Sequence, residues 1–182
     1  MGASNRSRPF FIDMKDKINI MEIVEQTMAD GPGLRTSIYC AGCWHHCPGC
    51  HNPQSWSPDN GHEVSIDDLL EIIKADEFSN VSFSGGDPFY QVEAFTELAR
   101  RIKAETHKTI WCWTGFTIEE IRADGHLSQM LPYLDVLVDG PFLIEQRDTQ
   151  LLFRGSPNQR IIYLTPKEDD TIPGTVPLVP FK

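Results

Sequence analysis

The run Leu34-Arg35-Thr36-Ser37-Ile38-Tyr39-Cys40 leads directly into Ala41-Gly42-Cys43-Trp44-His45-His46-Cys47-Pro48-Gly49-Cys50. Its first seven residues read as a β-strand, with Leu34, Thr36, Ile38 and Cys40 on one face at a period of two. The strand feeds a loop that carries Cys43, Cys47 and Cys50. Working outward, the same plan recurs. Residues 81–84 read as a strand ending in Gly85-Gly86-Asp87-Pro88, and Val92, Phe95, Leu98, Ala99 and Ile102 mark a following helix at helical spacing. A third strand over 109–114 runs into Gly115, with Thr117 and Glu120 as a capping box ahead of a short helix. Ser65 and Asp68 cap another helix, whose stripe is Ile66, Leu69, Leu70, Ile72 and Ile73. Strands are also expected at 134–138, closed by Asp139-Gly140-Pro141, at 160–164, and within 18–25.

Strand–loop–helix alternation implies right-handed crossovers and a mostly parallel sheet. A complete eightfold barrel takes about 250 residues, and this chain has 182. The expected architecture is therefore α/β, one domain over residues 1–182, built as an incomplete (β/α) barrel. A polar extension is expected at 1–16 and an irregular tail, rich in proline and acidic residues, at 166–182. The cysteine loop, Gly85-Gly86-Asp87-Pro88, Thr114-Gly115 and Asp139-Gly140-Pro141 each follow a strand directly. In parallel α/β folds the strand C-terminal ends gather on one face, where active sites are built, so the site is expected there.

A net charge of −10 and a pI near 4.9 repel phosphate backbones, and no Lys or Arg run opposes that. Nucleic acid is not expected as a partner. No stretch approaches the roughly 20 apolar residues of a membrane span, and the polar first eight residues do not resemble a secretory signal. The expectation is a cytoplasmic, reducing home. Four of the five cysteines fall within eleven residues, which in such a compartment points to metal or redox chemistry before disulfides. Three thiolates at spacings of four and three residues can wrap a cubane cluster, whose four irons normally take four protein ligands. One iron then stays open to a small molecule. A zinc ribbon is the competing reading, since Cys40 and Cys43 form a CxxC pair and His45, His46 and His51 lie close by. Zinc ribbons place two such pairs about 15–20 residues apart, whereas only three residues separate Cys43 from Cys47.

The CxxxCxxC run after a first strand resembles the signature of the radical S-adenosylmethionine superfamily. Asp30-Gly31-Pro32-Gly33-Leu34-Arg35-Thr36, Gly42-Cys43 and Cys50-His51-Asn52-Pro53 resemble the activases of glycyl-radical enzymes. Ser84-Gly85-Gly86-Asp87-Pro88, Trp113-Thr114-Gly115-Phe116, Val138-Asp139-Gly140-Pro141-Phe142, Arg154-Gly155-Ser156 and Asn158-Gln159-Arg160 resemble the activating proteins of anaerobic (class III) ribonucleotide reductase. The resemblance implies that Cys43, Cys47 and Cys50 hold a [4Fe–4S] cluster whose open iron is chelated by S-adenosylmethionine. It implies that Gly85, Gly86 and Asp87 receive the methionine amino group, and that the backbone of Gly49, Cys50 and His51 borders the adenine. Many relatives carry an aromatic residue where this chain has Gly49. The implied activity is reductive cleavage to a 5′-deoxyadenosyl radical, which abstracts hydrogen from a glycine of the anaerobic reductase large subunit. A low-potential donor such as flavodoxin or ferredoxin is usual for such enzymes. An activase of another glycyl-radical enzyme and a small-molecule radical catalyst are the neighbouring readings. Only two cysteines remain after three are used, too few for an additional four-cysteine cluster.

Plainer readings attach to several residues. Cys40 and Cys112 read as buried strand residues, and Trp111 and Trp113 as core or interface. His45 and His46 could simply face solvent, Asp139 could be a turn residue, and 154–160 a turn with flanking charges.

Overall fold

Lys17–Thr27 form strand β1 and Arg35–Cys40 strand β2, an antiparallel pair. The computed structural model describes residues 16–165 and 175–177. The polar extension expected at 1–16 therefore lies, except for Asp16, outside the described residues. Next come β3 (His62–Ser65), α1 (Ile66–Ala75), β4 (Asn80–Gly85), α2 (Val92–Glu105) and β5 (Ile110–Trp113). The chain continues through α3 (Ile118–Ala123), β6 (Val136–Asp139), β7 (Arg160–Tyr163) and β8 (Thr175–Pro177).

The eight strands make one mixed sheet in the order β3-β1-β2-β4-β5-β6-β7-β8. Its centre, β2-β4-β5-β6, is parallel throughout. Parallel neighbours need long crossovers, and helices α1, α2 and α3 lie within these connections. Between β6 and β7 the chain forms only a short 3-10 turn, Ile144–Gln146, and β7 returns antiparallel. Strand β8 pairs parallel with β7, so part of the tail expected to be irregular belongs to the sheet. Strands β3 and β8 sit at opposite ends and do not pair, so the described strands form an open sheet.

Side-chain alternation sorts the two faces. Ile110 and Cys112 of β5 join Ile38, Cys40, Phe83 and Leu137 in the main core. The buried stripes of α1 (Ile66, Leu69, Leu70, Ile73) and α2 (Val92, Phe95, Leu98, Ala99, Ile102) cover that core. Each large side chain so buried contributes roughly 1.5–3 kcal/mol. Trp111, Val136, Val138 and Ile161 cluster on the opposite face, with Trp113, Phe153 and Tyr163 against them. The helix starts follow their sequence signals. Ser65 Oγ accepts the Asp68 N–H at 3.0 Å, and Thr117 and Glu120 form a complete capping box.

Leu34, expected on the inner face of the first strand, is 40% exposed, and the strand begins one residue later. The buried residue is Arg35, whose guanidinium lies 5.5 Å from the Trp111 ring centre. Its Nε donates to Ser82 Oγ and its Nη2 to the Val81 carbonyl, each at 2.6 Å. Burial pushes the Arg35 pKa down to about 10 while Asp135 and Asp30 pull it back, so the side chain stays cationic at neutral pH. Strand β3 escapes a periodicity reading because His62 and Glu63 are exposed, and pairing with β1 defines it.

Candidate active site

Cys40 and Gly85, the last residues of β2 and β4, are register partners, and the loops leaving them are laced together. Gly86 N–H donates to the Cys40 carbonyl at 2.8 Å and Asp87 N–H to Gly42 at 2.9 Å. On its other side the cysteine loop is held by Gly42 N–H to Ser55 (2.7 Å) and Cys43 N–H to Trp56 (3.1 Å). Gly85 adopts φ +97°, and a Cβ there would come within 2.6 Å of the Cys40 nitrogen, so only glycine fits. Gly49 sits at φ +72° with the Ile144 Cδ1 2.3 Å from where a Cβ would stand. Ile144 thus occupies the room that an aromatic side chain at 49 would need.

Cys43, Cys47 and Cys50 are free and partly exposed, whereas Cys40 and Cys112 are buried in the core, as their strand positions implied. Burial pushes the thiols of Cys40 and Cys112 well above the usual cysteine range. Burial also raises Cys43 and Cys47, but backbone N–H groups of His45 and His46 pull Cys43 down and that of Phe142 pulls Cys47 down. The Asn52 N–H donates to Cys50 Sγ at 3.4 Å. Three thiols on one loop, each met by backbone N–H donors, suit a thiolate-bound cluster, since hydrogen bonds to the sulfurs stabilise the charged form. Among the described residues no three His, Cys, Asp or Glu side chains stand close enough to hold a single metal ion.

A cavity of about 410 Å³ opens beside the loop, walled by Cys50, His51, Gly85, Trp113, Phe142 and Arg154 among others. Three of the residues expected at a cofactor, Cys50, His51 and Gly85, thus share one cavity. Gly49, Gly86, Asp87, Cys43 and Cys47 do not line it. Phe142 packs its ring 5.3 Å from that of His51.

The Asp87 carboxylate is 1% exposed. Its Oδ2 accepts Thr114 Oγ1–H at 2.9 Å and Gly115 N–H at 3.0 Å, while Oδ1 accepts Phe89 N–H at 2.9 Å. His45 Nε2 stands 2.9 Å from Oδ2 without hydrogen-bond alignment. Asp87 therefore ties the β4 loop to the β5 loop. Asp139 is wholly buried in a pair with Arg160, whose Nε donates to Oδ1 at 3.0 Å, and Oδ2 accepts the Ile118 N–H at 2.7 Å. His45 is enclosed beside Phe116, while His46 is exposed and stacks on Trp56 at 4.9 Å.

Tyr39 and Asp30 are among the cavity residues to which sequence reasoning gave no role. Tyr39 donates its hydroxyl to Asp30, and both line the cavity. The signal for Tyr39 was present, because alternation that buries Cys40 turns its neighbour to the other face. Asp30 stood in the sequence only as the first residue of the run that resembles the activases, with no role attached, since the loop carrying it is held in place by tertiary contacts, including Ser82 Oγ–H to its carbonyl at 2.6 Å.

The profile of a 4Fe-4S single cluster domain matches residues 29–162. The anaerobic ribonucleoside-triphosphate reductase-activating protein of Vibrio cholerae is 40% identical over 142 residues, covering 74% of this chain and 90% of that protein. The chain belongs to this family of activating proteins. The Escherichia coli K12 protein of the same name is 36% identical, with coverages of 75% and 93%, and that of Enterobacteria phage T4 is 33% identical, with 79% and 93%. Among solved structures, QueE from Escherichia coli aligns at a TM-score of 0.44 and 15% identity, over 68% of this chain and 71% of that one. The stretch matched by the cluster-domain profile contains all of Cys43, Cys47 and Cys50, the cavity residues and the whole parallel centre of the sheet. Among the described residues no helix is long and apolar enough to cross a membrane.

Proposed function

We propose that this activating protein installs the glycyl radical of an anaerobic ribonucleoside-triphosphate reductase by cleaving S-adenosylmethionine at a [4Fe–4S] cluster held by Cys43, Cys47 and Cys50. The observation that carries the reading is the placement of Cys50 in the wall of a 410 Å³ cavity that Gly85, at the next parallel strand end, also lines. When bound, the reduced cluster supplies the electron that splits the sulfonium into methionine and a 5′-deoxyadenosyl radical, and that radical takes a hydrogen atom from a glycine Cα of the reductase.

The chain's own residues bind, orient and shield. Cys43, Cys47 and Cys50 would hold the cluster, and three protein ligands would leave it able to take S-adenosylmethionine directly. Gly85, with no side chain, lets the methionine end approach the β4 backbone, and Gly86 continues that bare edge. Asp87 holds the edge in place through Thr114 and Gly115, and acts on the amino group through that positioning. The backbone of Gly49, Cys50 and His51 borders the adenine, with Ile144 filling the space above Gly49 and Phe142 beside His51. Trp113 and Phe142 keep water from the reacting carbon. Donor and acceptor of the hydrogen atom must come within contact distance, so the glycine-bearing loop has to enter the cavity. The unclosed sheet supports an incomplete (β/α) barrel formed by a single domain, with the site at the strand C-terminal ends and a side through which such a loop can pass. A reducing cytoplasm and a donor such as flavodoxin or ferredoxin suit this chemistry.

The test is anaerobic reconstitution with iron and sulfide, reduction, addition of S-adenosylmethionine and assay of 5′-deoxyadenosine, with and without the reductase. Cleavage that depends on all three cysteines, together with a glycyl-radical EPR signal on the reductase, is expected. A complete cluster yielding neither, with reductase present, overturns the reading.

A further inference from the structure

Residues 154–160 form a braced loop whose architecture aims one cationic side chain at the cavity. The Gln159 side chain is at its centre: Oε1 accepts the N–H groups of Gly155 (2.8 Å) and Ser156 (3.2 Å), and Nε2 donates to the Gly140 carbonyl at 3.2 Å. Asn158 Nδ2 donates to Pro141 at 2.7 Å, and the buried Ser156 hydroxyl accepts the Leu143 N–H at 3.2 Å. The preceding residue is pinned as well, since Trp113 Nε1 donates to the Phe153 carbonyl at 2.8 Å. Arg154 is therefore placed by the hydrogen-bonded loop around it. Its Nη1 donates to the Gln159 carbonyl at 2.9 Å, which fixes the guanidinium plane. Its Nε, in contrast, is buried and has no hydrogen-bond partner.

A buried guanidinium N–H without an acceptor is uncommon and calls for a partner. Arg154 lines the cavity and is the one Lys or Arg among its lining residues. The wall also carries Asp30, which accepts the Tyr39 hydroxyl, so in a chain of net charge −10 Arg154 is the one fixed cation of the cavity that an anion can meet. S-adenosylmethionine carries one anionic group, its α-carboxylate, and the planar guanidinium fork matches a carboxylate better than it matches a hydroxyl or a ring nitrogen.

We propose that Arg154 is the carboxylate-recognition residue of the cavity, donating from Nε to the α-carboxylate of S-adenosylmethionine. This rests on the proposed function, and it gives the 154–160 segment a binding role in place of that of a charged surface turn.

The test uses wild type, Arg154→Gln and Arg154→Lys, each reconstituted anaerobically. Iron content and the EPR spectrum of the reduced cluster report the cluster, and equilibrium dialysis reports binding of S-adenosylmethionine and of its decarboxylated analogue. Arg154→Gln is expected to keep the iron content and to bind S-adenosylmethionine about tenfold or more weakly. It should bind the decarboxylated analogue as wild type does. Arg154→Lys, which keeps the charge and loses the fork, should fall between the two, and it carries the test if the Gln variant does not fold. Unchanged affinity for S-adenosylmethionine, or equal losses for both ligands, overturns the inference alone. A wild-type protein with a full cluster and no affinity for S-adenosylmethionine overturns the proposed function and this inference with it.

Discussion

Thr114 donates its hydroxyl to the buried Asp87 carboxylate at 2.9 Å, joining the loops that leave two neighbouring parallel strands. The same carboxylate accepts the N–H groups of Gly115 and Phe89. One side chain thereby fixes the spacing of two walls of the site before any ligand arrives.

Asp87→Ala should consequently destabilise the cluster-free protein. Three donors lose their acceptor, at a combined cost of about 3 kcal/mol, which for a domain of this size lowers the melting temperature by roughly 6–12 °C. Thermal denaturation of the apo form checks this. An Asp87 that acted only by touching the ligand would leave that melting temperature where it is.

The five cysteines should divide cleanly. Alanine at 43, 47 or 50 is expected to lower the bound iron and abolish 5′-deoxyadenosine formation. Alanine at 40 or 112, both wholly buried in the core, should keep the iron at a cost of about 1 kcal/mol each. Iron and sulfide analysis beside denaturation curves separates the two groups.

Gly49→Ala meets two obstacles. Its φ of +72° costs a side-chain-bearing residue about 1 kcal/mol, and its Cβ collides with Ile144. Adding Ile144→Ala removes the collision and leaves the backbone cost, so the double variant should recover only part of the lost stability and cluster loading. Full recovery would mean that the backbone conformation is unimportant.

Glu119 makes a bidentate pair with Arg160, Oε1 to Nη1 at 3.0 Å and Oε2 to Nη2 at 2.6 Å. The pair holds the Glu119 carboxyl below its ordinary 4.5. A carboxylate depressed in the folded state adds stability that is fully present above the unfolded value and is lost as pH falls through the folded one. Glu119→Gln should thus leave a shallower loss of stability below about pH 4.5, by less than about 1 kcal/mol because the side chain is 65% exposed. Denaturation midpoints from pH 7 to 3 report it.

Much of the site could be read in the sequence because its parts are local. A strand ending in cysteines, a strand ending in two glycines and an acid, and capped helices between them are each short-range patterns. The terminal register partners Cys40 and Gly85 then follow from parallel topology. The antiparallel return of β7 was hidden, since residues 140–159 give a periodicity reading nothing to grip. Strand β3 was hidden for a related reason: it is an exposed edge whose identity comes from its partner β1.

By itself the sequence determined the order of the central strands and helices, the three-cysteine loop, the family to which the chain belongs and the glycines that keep its loops bare. All of these depend on residue type and on spacing along a few turns of chain. Only the tertiary structure decided that Asp139 is spent on Arg160, that Asp87 faces Thr114, that Ile144 fills the space over Gly49 and that Asp30 joins Tyr39 in the cavity wall. Those partners lie 9 to 95 residues apart, and no local pattern encodes which buried charge or orphaned donor will find which partner once the sheet has closed the distance.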